Sequence, residues 1–253
     1  MTVHFIGAGP GAADLITVRG RDLLARCPTC LYPGSMTPTD LLAHCPADAE
    51  LVDTAGLSLE QIVAKLVEAH RAGRDVARLT SGDPSLYSAV AEQMRRLDAA
   101  GVPYDVVPGV PAFAASAAVL RRELTVPEVG QSLVITRVQA RSTRMPPAET
   151  LRAFAATRAT LALHLAINHV ERVTGELTPH YGADCPVAVV ALASQPGETV
   201  VRGVLGELPE LVRDAGMTRA ATIFVGRVLA ATDFPDSFLY SSARDRADQP
   251  ESL

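Results

Sequence analysis

Between residues 58 and 73 the apolar side chains fall at helical spacing. Leu59, Ile62, Val63, Leu66 and Val67 line one face, Ser58 and Gln61 are placed as a capping box ahead of them, and Gly73 closes the run. This pattern predicts an amphipathic helix. Elsewhere apolar residues come in short unbroken runs, Val3 to Gly7, residues 75–80 and Tyr104 to Val107, each followed by a glycine-bearing loop. Such runs read as buried strands. Leu15, Leu23 and Leu24 continue the first strand and loop into a helix, and Leu86, Ala89, Val90, Met94 and Leu97 predict a helix after the second, stopped by Gly101. Alternation of this kind implies parallel β-α-β units. Their ligand edge is the C-terminal end of the strands, where the loops Ala8-Gly9-Pro10-Gly11, Ser81-Gly82-Asp83-Pro84 and Pro108-Gly109 fall.

Beyond Glu128 the alternation resumes, with candidate strands at residues 132–137, 160–166, 186–193, 199–203 and 221–228 and helices between most of them. Residues 141–147, rich in Arg, Ser, Thr and Pro, read as a loop, and residues 241–253 as a polar tail that frays. The fold class is α/β, in two α/β halves covering residues 1–115 and 125–240, without an internal repeat.

Composition narrows the function classes. Hydrophobic residues make up 48% of the 253 and charged residues 20%, the mix of a folded globular chain. The net charge of −5 lacks the basic excess of a duplex-binding surface, so nucleic acid is not an expected partner. The only lysine, Lys65, follows Ala64. No Gly-Lys-Ser/Thr phosphate loop can therefore be written, and a Schiff-base lysine would have to lie within the helix predicted above. The longest apolar stretch, from Val110 to Leu120, is too short to span a bilayer and stops at Arg121-Arg122. With a first strand in place of a signal peptide at the N-terminus, the expected location is the cytoplasm, away from membranes. Cys27, Cys30 and Cys45, with His44, could be written as a zinc site, but a bare His-Cys dipeptide is a poor second half, and the expectation is reduced thiols and no metal.

Two loop readings stay open on the residues alone. Gly7-Ala8-Gly9-Pro10-Gly11-Ala12 satisfies the loose dinucleotide pattern, yet Pro10 removes a backbone donor, and Tyr32-Pro33-Gly34-Ser35 stands where a nicotinamide enzyme wants an acidic residue. A tight turn explains the same glycines. Asp83 is either the N-cap of the following helix or a carboxylate facing the ligand edge. Hydrolase signatures are missing from the sequence, and His164, in a predicted strand, and His169, near a helix start, read as structural.

FIGAGPGAADLIT, LTSGDPSLYSAVAEQ and VVPGVPAF, in this order and at these separations, resemble the tetrapyrrole methylase family, enzymes that methylate carbon from S-adenosylmethionine in sirohaem and cobalamin synthesis. The blocks LYPGSM, RRELTVPEVGQSLVITR and CPVAVVALASQPGE are similar to the members of that family that act on cobalamin precursors. Pro33, Pro111 and Ala12-Ala13 depart from the residues common there. The resemblance implies two α/β domains with S-adenosylmethionine in a trough between them, a homodimer, and no metal or nicotinamide. Its cofactor contacts carry over to Pro10, Ser81, Gly82, Asp83, Leu86, Pro111, Ala112, Leu165 and Ala193. Its substrates are polycarboxylates, which makes Arg121, Arg122, Arg137, Arg141 and Arg144 candidate acceptor ligands by bidentate pairing. Methyl transfer from a sulfonium expels a neutral thioether, S-adenosylhomocysteine, and needs no acid for that. The cationic centre left on the ring must be stabilised or lose a proton, and since no residue of the sequence is singled out for this, no general base is assigned. The rival readings are a family member acting at another ring position or on a cobalt-bearing acceptor, a nicotinamide oxidoreductase, and a non-catalytic tetrapyrrole carrier.

Overall fold

A computed structural model of the chain describes residues 1–34, 37–139 and 144–238, so the polar tail at 241–253 lies outside the described residues. The chain divides into two units, Met1–Ser116 with Leu192–Glu198, and Ala117–Ala191 with Thr199–Leu253. The short return of residues 192–198 to the first unit is a feature that two linear halves do not anticipate.

The first unit is built on five parallel strands, β1 (Val3–Gly7), β2 (Thr29–Tyr32), β3 (Glu50–Asp53), β4 (Val76–Thr80) and β5 (Tyr104–Val107), in the order β3-β2-β4-β1-β5. Apolar residues occupy both faces of the central strands, which is why those strands read as unbroken runs. On one face Val3, Phe5, Leu31 and Val76 meet Ile62, Leu66 and Ala69 of α3 (Leu59–Arg71) and Val90 and Leu97 of α4 (Val90–Ala100). On the other, Ile6, Ala77 and Leu79 meet Leu24 of α1 (Val18–Leu24) and Leu41 of α2 (Thr39–Leu42). The capping box of α3 is present: Ser58 N–H donates to Gln61 Oε1 at 2.8 Å and Gln61 N–H to Ser58 Oγ at 3.3 Å. β3 was not foreseen. It is a four-residue edge strand with Glu50, Leu51 and Asp53 exposed, so it carries no buried run.

The helix expected from Leu86 starts later, at Val90, because Tyr87 and Ala89 both adopt left-handed backbone, with φ of 54° and 53°. α5 (Ala112–Leu120) begins the passage to the second unit. There the sheet runs β6-β7-β10-β8-β9, from β6 (Leu133–Arg137), β7 (Thr160–His164), β8 (Pro186–Ala191), β9 (Thr199–Val204) and β10 (Ala221–Val225). Only β6 and β7 are parallel, and the pairs β7–β10, β10–β8 and β8–β9 are antiparallel. Helices α6 (Leu151–Ala155), α7 (Val170–Tyr181) and α8 (Leu208–Asp214) lie between the other consecutive strands, whereas β8 and β9 join directly and so pair antiparallel. Leu161, Leu163, Val187, Val189, Ile223 and Val225 form the core face that meets these helices.

Two glycines show how closely the first unit's strand ends approach. A Cβ on Gly7 would stand 2.5 Å from Gly109 Cα, and one on Gly109 would stand 2.2 Å from the Gly82 carbonyl oxygen. Both contacts are with backbone, which cannot swing aside. Gly7→Ala is therefore expected to destabilise the protein by about 1–3 kcal/mol, whereas Gly56→Ala, with nothing within 4 Å, should be neutral or gain up to about 1 kcal/mol. Urea unfolding of the two variants checks the contrast.

Candidate active site

The three glycine loops leave β1, β4 and β5, which are neighbours in the sheet, at the same C-terminal edge. Backbone hydrogen bonds stitch them together. Gly9 N–H donates to the Gly82 carbonyl at 3.2 Å, Gly82 N–H to the Gly9 carbonyl at 2.8 Å, and Ala8 N–H to the Thr80 carbonyl at 2.8 Å. Gly82 holds a φ of +67°, which glycine adopts without strain.

Asp83 joins the second loop to the third. Its Oδ2 accepts from Gly109 N–H at 2.8 Å, and its Oδ1 accepts from Ser85 N–H at 2.8 Å and also from Ser85 Oγ. The N-cap reading is thereby corrected: Asp83 closes a turn of its own, and α4 begins only at Val90. Partial burial pushes the Asp83 carboxyl upward, but the hydrogen bonds from Ser85 and Gly109 outweigh it and hold the group below its usual value.

Pro10, Gly82 and Ala193 are buried, Asp83, Leu86, Pro111 and Ala112 half-buried, and Ser81 exposed. Pro111 opens α5, its carbonyl accepting from Ala114 and Ala115 N–H, and a proline there supplies no side-chain acceptor for the first N–H groups of the helix. The segment 192–198 adds contacts that sequence reasoning missed. Gln195 Nε2 donates to the Pro10 carbonyl at 2.7 Å, and Ala12 N–H donates to Ser194 Oγ at 3.0 Å. The side chain of Gln195 lies where a Cβ on Gly11 would stand, 2.0 Å from its Cγ, so a side chain at Gly11 would displace this contact. No local signal in the sequence marks Ser194 or Gln195.

In the second unit, Leu165 follows β7 with a φ of 53° and is 62% exposed, an apolar side chain held out from a left-handed turn. Arg137, the last residue of β6, pairs in register with His164, so Arg137 and Leu165 share one edge of that sheet. Burial pushes the His164 imidazole below its ordinary value of 6.5, which keeps it neutral. Arg122 is elsewhere. Its Nη1 donates to the Ala231 carbonyl at 3.0 Å, and it lines a cavity of about 280 Å³ with Arg202 and Pro186, at the end of β8 remote from Ala191. Arg121, in left-handed backbone, and Arg144 are exposed, and Arg141 lies outside the described residues. Among the described arginines, Arg137 and Arg122 thus lie at opposite ends of the second unit's sheet.

Among the described residues no group of three or more His, Cys, Asp or Glu side chains is arranged to hold a metal, and no helix is long and apolar enough to cross a membrane. Cys27 and Cys30 are buried in the first unit's core, and burial pushes the Cys27 thiol up to about 12.

A model of the tetrapyrrole (corrin/porphyrin) methylases matches residues 2–209. The chain belongs to this family. A relative from Rhodococcus erythropolis, named precorrin-4 C(11)-methyltransferase, is 59% identical over 97% of this chain and 99% of its own. Among solved structures, an enzyme of cobalamin biosynthesis, cobalt precorrin-4 methyltransferase, superposes with a TM-score of 0.88 at 37% identity, covering 91% of this chain and 96% of that one. The uroporphyrin-III C-methyl transferase of Thermus thermophilus complexed with S-adenyl homocysteine follows with a TM-score of 0.77 at 28% identity, covering 90% and 99%. The family assignment displaces the dinucleotide reading of the first loop, and the protein is a methyltransferase.

Asp83→Ala removes the acceptor for two backbone N–H groups and should cost about 1–2 kcal/mol of stability. The sign with pH follows from the depressed carboxyl. Its stabilisation is complete above the ordinary value of 3.8 and is lost as pH falls through the lower value of the folded state. Urea melts at neutral pH and below 3.8 should therefore show the variant's deficit shrinking in acid.

Proposed function

We propose that the protein transfers a methyl group from S-adenosylmethionine to carbon 11 of precorrin-4, forming precorrin-5 in cobalamin biosynthesis. The observation that carries this reading is the 59% identity to a precorrin-4 C(11)-methyltransferase across 97% of this chain. The cobalt-named structure, at 37%, is the more distant of the two likenesses, which favours the metal-free acceptor.

The residues at the first unit's loop edge fit S-adenosylmethionine chemically. Pro10, Leu86, Pro111, Ala112 and Ala193 are apolar, Ser81 and the loop backbone offer hydrogen-bonding groups, and the one ionisable side chain among them, Asp83, is an anion. An anionic site favours a ligand that carries sulfonium and ammonium charge. When bound, S-adenosylmethionine supplies an electrophilic methyl group with a neutral leaving group. The chain's own task is alignment and exclusion of water. Gly82 and Gly109 let backbone approach closely, and Asp83 fixes their spacing. Arg137, on the same sheet edge as Leu165, is the arginine this reading assigns to an acceptor carboxylate. Such contacts use binding energy remote from the reacting carbon to orient the ring. We read the protein as a cytoplasmic homodimer, in keeping with the family resemblance.

Anaerobic incubation with metal-free precorrin-4 and methyl-labelled S-adenosylmethionine, followed by NMR location of the label, tests the reaction. Label on carbon 11 is expected. Label at another position would overturn the assignment within the family, and turnover of the cobalt-bearing acceptor alone would establish the second reading. With the reaction in hand, Arg137→Ala should raise the acceptor KM roughly tenfold. Unchanged steady-state kinetics would remove Arg137 from the site.

A further inference from the structure

Arg78, in β4 of the first unit, is only 6% exposed and has no part in the chemistry above. Its hydrogen bonds among the described residues all go to neutral groups. Nε donates to Gln93 Oε1 at 3.1 Å, and Nη1 donates to Thr54 Oγ1 at 3.2 Å and to the Leu79 carbonyl at 3.1 Å. Burying a cation without a counter-charge is costly, and burial pushes its pKa down to about 10, so it remains charged at neutral pH. A residue retained at that cost calls for a role that an apolar side chain could not fill.

The partners of Arg78 lead to the ligand edge. Thr54 Oγ1, accepting from Arg78, donates onward to the Tyr32 carbonyl at 3.0 Å, at the end of β2. Gln93, on α4, accepts from Arg78 through Oε1 and donates through Nε2 to the Ala89 carbonyl at 3.0 Å. The orientation of that amide is forced, because a guanidinium can only donate: Oε1 must face Arg78, which leaves Nε2 for Ala89. Ala89 is one of two non-glycine residues in left-handed backbone, with Tyr87, in the segment between Asp83 and α4. Ala89 also precedes α4 without a side-chain cap. Strained backbone of this kind persists only where its surroundings hold it. Arginine suits the position because its fork reaches Gln93 and Thr54 at once, which the single ammonium of lysine does not.

We propose that Arg78 is a positioning residue for S-adenosylmethionine: through Gln93 it holds the left-handed turn at Tyr87 and Ala89, and so sets the conformation of the loop that carries Ser81, Gly82, Asp83 and Leu86. The inference rests on the reading of that loop as the cofactor site. Arg78 acts at one remove and touches no reacting atom.

Gln93→Glu separates the two halves of the relay, since it keeps an acceptor for Arg78 but loses the donor for Ala89. Calorimetric titration of the full chain with S-adenosylmethionine, alongside urea unfolding, is the test. Gln93→Glu and Gln93→Leu should each weaken binding about tenfold while remaining folded, and KM for S-adenosylmethionine should rise more than kcat falls. Adding Ala89→Gly to Gln93→Leu should restore part of the affinity, because glycine takes left-handed backbone without strain. Arg78→Met should act in the same direction with a larger loss of stability. Parental affinity in both folded Gln93 variants would overturn the proposal, as would failure of Ala89→Gly to restore any affinity. If the unaltered protein itself fails to bind S-adenosylmethionine, the reading of the loop falls, and the role of Arg78 with it.

Discussion

Close approach of three backbone loops at one end of a parallel sheet is the constraint on which the site depends. Gly7 against Gly109, Gly109 against the Gly82 carbonyl, and the reciprocal Gly9–Gly82 hydrogen bonds leave no room for side chains between them. The edge is consequently built from backbone, and the side chains around it act as ties. Asp83 ties the β4 loop to the β5 loop, and Gln195 with Ser194 ties residues 192–198 to the β1 loop. A surface made this way suits a reaction that needs a reactant held in line more than it needs a proton donor.

The same logic accounts for the scarcity of ionisable groups. Asp83 is the one charged residue among the positions that the family resemblance assigns to the cofactor, and its carboxylate is already committed to Ser85 and Gly109. Arg78 lies beneath the edge and is bonded only to neutral partners among the described residues. His164 is kept neutral by burial. Charge in the first unit is thus used for shape, while in the second unit Arg137 and Arg122 lie at different ends of one sheet.

Much of the first unit was legible in the sequence because its central strands are buried on both faces and the loops after β1, β4 and β5 carry glycine. The runs ending at Gly7, Thr80 and Val107 and the capping box at Ser58 are local signals, and each is present in the structure. The second unit was legible only in part. Its strands were visible as apolar runs, but their antiparallel pairing depends on the direct join of β8 to β9, which a hydrophobic run does not encode. Within the site, the glycines announced the loops, while the partners of Asp83 could not be read, because Gly109 is 26 residues away along the chain. The late start of α4 was hidden for a related reason. Leu86 and Ala89 fit the helical spacing, and the left-handed turn that displaces them is held by Gln93 from within the helix itself.

The central claim is that the edge formed by the loops after β1, β4 and β5 is where S-adenosylmethionine binds. Amide hydrogen exchange, followed by mass spectrometry with and without S-adenosylmethionine, addresses it directly. Slower exchange at residues 8–12, 81–89 and 109–113 of the first unit, and at Ala193, with its sheet core unchanged, is the predicted result. Protection that appears only elsewhere, with these three segments exchanging as in the free protein, would contradict the account.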